Sequence, residues 1–140
     1  MIGYDLDGVL CKGPFIPGDP YRVLTEEERN ARRDELLNHF RTAPALFIAP
    51  EPDFIVITGK PDLPDFREAT EMWLENHYQR KVKVFLHSGL DRSKDGIAEH
   101  KYKIIVQHGV TEFTDDSPHT VKYLRKRLNN VKINLYEGNK

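Results

Sequence analysis

The sequence holds a single cysteine, Cys11, so no disulfide can form within the chain. That is what a reducing compartment favours, and Cys11, which closes an apolar run, reads as a small buried hydrophobe. Nowhere do apolar residues continue for the roughly 20 positions that a membrane-spanning helix needs. No signal-peptide pattern opens the sequence, because Asp5 and Asp7 interrupt the early apolar stretch. A cytoplasmic location with no membrane partner is therefore expected. Excess charge is missing too. The 21 basic side chains stand against 22 acidic ones, which disfavours an extended nucleic-acid track and leaves room only for a local basic patch. Repeats and low-complexity tracts are absent. A hydrophobic fraction of 39% and a charged fraction of 31% over 140 residues describe one globular domain, residues 1–140.

What is present is an alternation. Short β-rich apolar runs occur at Ile2–Leu6, Phe54–Ile57, Val82–Leu86, Glu112–Thr114 and Val131–Leu135. Helical periodicity lies between them. Asp65–His77 carries Phe66, Ala69, Trp73 and Leu74 on one stripe. Ile97–His108 carries Ile97, Ile104 and Ile105, and Ser117–Asn129 carries Val121, Leu124 and Leu128. Strands alternating with helices predict a Rossmann-like three-layer α/β/α fold with a central, mainly parallel sheet.

One segment breaks the alternation. Residues 12–49 hold Gly13, Pro14, Pro17, Gly18 and Pro20, then a charged helical pattern from Thr25 to Phe40, opened by Thr25 and Glu28 at capping-box spacing. Its many Glu and Arg residues leave a narrow apolar stripe. It reads as a small helical, cap-like insertion after the first strand, lying over one end of the sheet. Arg29, Arg32, Arg33 and Arg41 either meet a phosphate-bearing substrate there or form a solvated face of Glu–Arg pairs.

In a parallel sheet, ligands bind at the carboxyl ends of the strands. There the sequence places Asp5 and Asp7, then Thr58-Gly59-Lys60, then Asp115-Asp116, with Lys101 and Lys103 on the preceding helix. Two like charges about 4 Å apart repel by roughly 4 kcal/mol at an effective dielectric near 20. A hard divalent cation with oxygen ligands removes that conflict, and Mg²⁺ suits a site that also holds phosphate oxygens. Taken alone, Asp-x-Asp reads as a loop or cap, and Asp116 as an N-cap for the helix at Pro118.

Together, in this order, the segments resemble a known family. Asp5-Leu6-Asp7-Gly8-Val9-Leu10 resembles the first motif of the haloacid dehalogenase superfamily, Ile57-Thr58-Gly59 the second, a helix-borne lysine the third, and Asp115-Asp116 the fourth. The resemblance implies a Mg²⁺-dependent phosphomonoester hydrolase. Asp5 would be the nucleophile that forms an aspartyl-phosphate, and Asp7 the general acid and base. Thr58 and the backbone of Gly59 would hold the phosphoryl group. Lys101, preferred to Lys103 for its frame with Ile104, Ile105 and Gly109, would neutralise charge. Asp5, Asp7 through its carbonyl, and Asp116 would bind the metal, with Asp115 in support. Lys60 stands where related enzymes often carry arginine and either touches phosphate or substrate or is a solvated loop lysine, and Arg67 resembles a position that some nucleotide-directed members use near the substrate. The second acid, Asp7, favours phosphoryl transfer over dehalogenation.

The implied substrate is a phosphorylated small molecule, with nucleotides among the candidates from the spacing of Arg67, Thr70 and Trp73. The phosphorylated end of a polynucleotide is the alternative, and a non-catalytic binding protein of the same fold a further one. A two-component receiver domain fits less well, because Asp53 precedes its strand. The six histidines show no metal-ligand spacing, Trp73 reads as core, and Ser88, Arg92 and Lys94 as a polar loop near the crevice.

Overall fold

A computed structural model of the protein describes residues 1–12 and 25–138, and of residues 29–36 the backbone alone. The Gly- and Pro-rich stretch at 13–24, and the side chains of Arg29, Arg32 and Arg33, therefore lie outside the described residues. Among the described residues, five strands, β1 (Ile2–Tyr4), β2 (Ile55–Pro61), β3 (Lys83–His87), β4 (Glu112–Asp115) and β5 (Lys132–Leu135), alternate with four helices. The helices are α1 (Glu26–Thr42), α2 (Pro64–Tyr78), α3 (Lys94–Gln107) and α4 (Pro118–Arg127). All strand pairs are parallel, in the order β3-β2-β1-β4-β5. The chain steps outward from β1 through β2 to β3, then returns to the other side of β1 for β4 and β5. That reversal opens a crevice between the carboxyl ends of β1 and β4.

Why the sheet is covered on both faces follows from the strand period of two. Val56 on β2 joins Tyr4, Val84, Trp73 and Leu74 in one apolar cluster, which α1 extends with Phe40. Its neighbours Ile55 and Ile57 join Phe113, Ile133, Ile105, Val121 and Leu124 in the other. Helices α1 and α2 thus lie on one face and α3 and α4 on the opposite one. This is a three-layer, Rossmann-like α/β fold. Among the described residues no helix is long and apolar enough to cross a membrane.

Several element ends differ from the sequence reading. Strand β1 stops at Tyr4 because Leu6 turns inward, its carbonyl accepting from the N–H groups of Leu10 and Cys11 at 3.0 Å each. Strand β2 runs on past Ile57 to Pro61, which pairs with His87 after a shift of register. Helix α3 starts at Lys94, because Ser93 caps it by accepting from Gly96 N at 3.1 Å. Lys94 is accordingly helical and does not belong to the loop with Ser88 and Arg92. Helix α4 is capped by Ser117, which accepts from Thr120 N at 3.3 Å. Asp116 is not the cap, and its carboxylate is left for other use.

The capping box of Thr25 and Glu28 at the start of α1 is formed as its spacing requires. Although α1 is mostly polar, it packs beside α2. Its carboxyl end is core: Phe40 and Ala43 are buried, and Trp73 Nε1 donates to Ala43 O at 3.0 Å.

Candidate active site

The loop after β1 is built by alternation. Leu6, Val9 and Leu10 are wholly buried and anchor it to the core, while Asp5 and Asp7, on either side of Leu6, are left at the crevice. Gly8 makes the turn at φ +83°, where a side chain is strained. A Cβ there would also fall 2.0 Å from Asp116 Oδ2. Only glycine lets this loop abut the end of β4.

Asp115, at the end of β4, accepts from the backbone N–H of Ser117 at 2.9 Å through Oδ1. Through Oδ2 it accepts from Lys101 Nζ at 2.6 Å. The same ammonium lies 3.3 Å from Asp5 Oδ1. Lys101 reaches the cluster because it sits four residues after Ile97 and four before Ile105, on the buried face of α3. Lys103, about 200° further round the helix, is exposed.

Carboxylate oxygens of Asp5, Asp115 and Asp116 all lie within 4.8 Å of one another. Burial pushes the Asp5 carboxyl well above the usual carboxylate range, and Asp115 adds to this, with Lys101 opposing. Burial, then Asp115, also raises Asp116. For Lys101, burial works against the charge, but Asp115 and Asp5 together hold it above the ordinary lysine range.

On β2, Thr58 is buried, and its Oγ1 accepts from the N–H of Lys60 at 3.3 Å. A hydroxyl that accepts in this way can also donate its own proton to a second partner. Gly59 passes so close to α3 that a Cβ would meet Ile97 Cγ2 at 2.8 Å. Lys60 forms an ion pair with Asp7 Oδ2. Its ammonium also sits 3.9 Å from the centroid of the Phe40 ring, a cation–π contact. Its side chain is 9% exposed, so it is not a solvated loop lysine. The sequence reading missed Phe40. Nothing local marks it, since α1 and β2 meet only in the folded chain.

Arg67 lies elsewhere in its contacts. Its guanidinium is engaged by Asp62 at 3.1 Å and Glu71 at 3.3 Å, at a well-exposed position on α2. Of the histidines, the His87 and His100 rings tilt together at 4.8 Å, and burial takes His100 down to about 4, while His119 lies 2.7 Å from Asp95 at the surface. Cys11 is wholly buried, and burial pushes its thiol up to about 12, which leaves it unreactive.

The charge balance bears on a metal. Asp5, Asp7, Asp115 and Asp116 face Lys60 and Lys101. Four carboxylates against two ammonium groups leave an excess of two negative charges when all are ionised. Asp7 Oδ1 is in addition buried without a hydrogen-bond partner among the described residues. An all-oxygen donor set with a two-charge excess fits a hard divalent cation.

Replacing Lys101 with Met removes the ammonium that touches both Asp5 and Asp115. In metal-free protein this is expected to lower the unfolding free energy by about 3 kcal/mol, the low end for breaking a buried pair because Asp5 can take up a proton. Urea unfolding in chelator measures it. A midpoint equal to that of the unaltered protein would mean that the ammonium does not hold the cluster together.

No protein-family model matches the chain, and no curated protein does. Among solved structures, the chain is similar to a chain in the Pnkp1/Rnl/Hen1 RNA repair complex, with a TM-score of 0.57 and 16% identity. The match covers 96% of this chain and 41% of that one, so this chain spans about two-fifths of its neighbour's length. At that identity the likeness is one of fold.

Proposed function

We propose that the chain is a phosphomonoester hydrolase of the haloacid dehalogenase type, dependent on Mg²⁺, with Asp5 as its nucleophile. The observation that carries this is the convergence of Asp5, Asp115 and Asp116 within 4.8 Å at the topological switch of the sheet, with Lys101 against two of them. Asp5 attacks phosphorus through a carboxylate oxygen as the bond to the leaving oxygen breaks, and Asp7 gives that oxygen its proton. Asp7, now ionised, takes a proton from water, whose oxygen attacks the same phosphorus. The Asp5–phosphorus bond breaks and orthophosphate leaves. The Thr58 hydroxyl and Gly59 N–H donate to the phosphoryl oxygens. Lys101 opposes the protonation of Asp5 that its burial favours, and Lys60 orients Asp7. The metal would be held by the Asp5 and Asp116 carboxylates and the Asp7 carbonyl, with Asp115 in support, and when bound it would neutralise charge on the phosphoryl oxygens. Thiols and imidazoles take no part in the cluster, which disfavours zinc.

The reading covers a phosphorylated small molecule, a nucleotide among them. The solved neighbour belongs to an RNA repair complex, which favours a second substrate reading, the phosphorylated end of a polynucleotide. Residues 12–49 would act as a cap over the site, within a single domain. The test is phosphate release from an aryl phosphate, with mass spectrometry of the quenched enzyme for a phosphorylated Asp5. Absence of turnover with Mg²⁺ present would leave a non-catalytic binding protein of the same fold.

A further inference from the structure

We propose that the groove between α4 and the end of β5 is a subsite for the phosphodiester backbone of a single-stranded nucleic acid, leading its phosphorylated end to Asp5. The proposal rests on the phosphatase reading above and names its substrate class.

Helix α4 begins two residues after Asp116, and its sequence, PHTVKYLRKR, contains no acid. Lys122, Arg125, Lys126 and Arg127 are all exposed. In a chain whose net charge is −1, four cations on one ten-residue helix are a local concentration. Pro118, Val121, Lys122, Arg125 and Lys126 share one face at spacings of three and four. With Leu135 they line a groove of about 400 Å³. Val121 and Leu135 give it an apolar floor, and the three cations form its rim.

The rim is costly as it stands. Lys122 and Lys126 are one turn apart, like charges at a spacing that destabilises a helix slightly. Neither has an ion pair among the described residues. Arg125 is fixed over β5, its Nε and Nη2 donating to Ile133 O at 3.2 and 2.8 Å. Those bonds orient the guanidinium, which has no ion pair among the described residues. Arg127 lies over the Tyr123 ring at 3.5 Å and takes no part in the groove.

Both walls of the groove end at the acid cluster. Pro118 follows Asp116 and Ser117 directly, and Leu135 is the sheet partner of Asp115. An occupant must therefore carry negative charge at intervals along its length, offer apolar surface between the charges, and finish in a phosphomonoester. A short single strand of nucleic acid has these properties. A mononucleotide has its phosphate in the crevice and nothing to place against Lys126. The floor holds no hydrogen-bonding side chain, so bases would be accepted without regard to sequence.

The experiment compares an end-phosphorylated oligonucleotide with p-nitrophenyl phosphate, using the unaltered protein and the double variant Lys122→Gln/Lys126→Gln. Both lysines are exposed, so the fold is retained. The double variant is expected to raise KM for the oligonucleotide about tenfold or more with kcat unchanged, and to leave the aryl phosphate unaffected. The slope of log(kcat/KM) against log[salt] for the oligonucleotide should fall by about 1.4, at ~0.7 for each phosphate that a lysine no longer neutralises. Fluorescence anisotropy with the same oligonucleotide reads binding apart from turnover. An unchanged KM and anisotropy in the double variant overturn the subsite. Equal displacement of the oligonucleotide by a polyglutamate peptide of matched charge does so too, since it reveals a generic polyanion patch. Failure of the unaltered protein to hydrolyse either substrate overturns the phosphatase reading instead, and with it the delivery of an end to Asp5.

Discussion

Asp5→Asn is expected to reduce phosphate release from an aryl phosphate by ~10⁴-fold or more while leaving the fold intact. The amide is nearly isosteric with the carboxylate but cannot attack phosphorus, so the covalent route closes altogether. The same change should not weaken the structure. Asp5 is 5% exposed and its carboxyl is held well above its ordinary range by burial and by Asp115, so a neutral side chain removes an unfavourable charge. Lys101 keeps its shorter bond, to Asp115 at 2.6 Å. In chelator, the thermal midpoint of the variant should equal or exceed that of the unaltered protein, the pattern of a residue kept for activity at the expense of stability. Retention of more than about a hundredth of the activity would remove Asp5 from the nucleophile role.

Removal of divalent metal is expected to have the second largest effect. Turnover should vanish in chelator and return with Mg²⁺. Mg²⁺ should also raise the thermal midpoint of the unaltered protein, because a ligand that binds the folded state alone stabilises it by mass action. Asp116→Ala should raise the Mg²⁺ concentration needed for half-activity by about a hundredfold, comparable with the upper end for losing groups that support a metal, yet cost little stability. Asp116 caps no helix, and its carboxyl is already destabilised by burial. Asp115→Ala should behave differently. It deletes the acceptor of both Lys101 and the Ser117 N–H, so it is expected to lower stability first. If Asp115→Ala alone raises the metal requirement and Asp116→Ala does not, the two aspartates exchange roles.

Much of this protein is legible from neighbours a few residues apart. The period of two in Ile55-Val56-Ile57 made a strand buried on both faces. The spacing of three and four from Thr70 to Trp73 and Leu74, and of three from Val121 to Leu124, selected the inward faces of α2 and α4. Thr25 and Glu28 formed a cap within a single turn. Alternating strands and helices implied a parallel sheet, and a parallel sheet puts its strand-end acids at one edge. The frame of apolar residues around Lys101, on which its preference over Lys103 rested, is local too.

The rest depends on which surfaces meet in the folded chain. Ser117 and Asp116 are both good helix caps by composition. The approach of Gly8 to Asp116, which leaves no room for a Cβ, belongs to the packing of β1 against β4. Lys60 reads as solvated until the far end of α1 brings Phe40 over it and Asp7 beneath it. That Arg67 is engaged by Asp62 and Glu71 is likewise seen only in the folded chain. The basic rim of α4 is plain in its ten residues. That the second wall of its groove, at Leu135, lies beside Asp115, however, follows from the pairing of β4 with β5. A charge acts through whatever lies within a few ångströms of it, and for side chains far apart in sequence only the folded chain sets that distance.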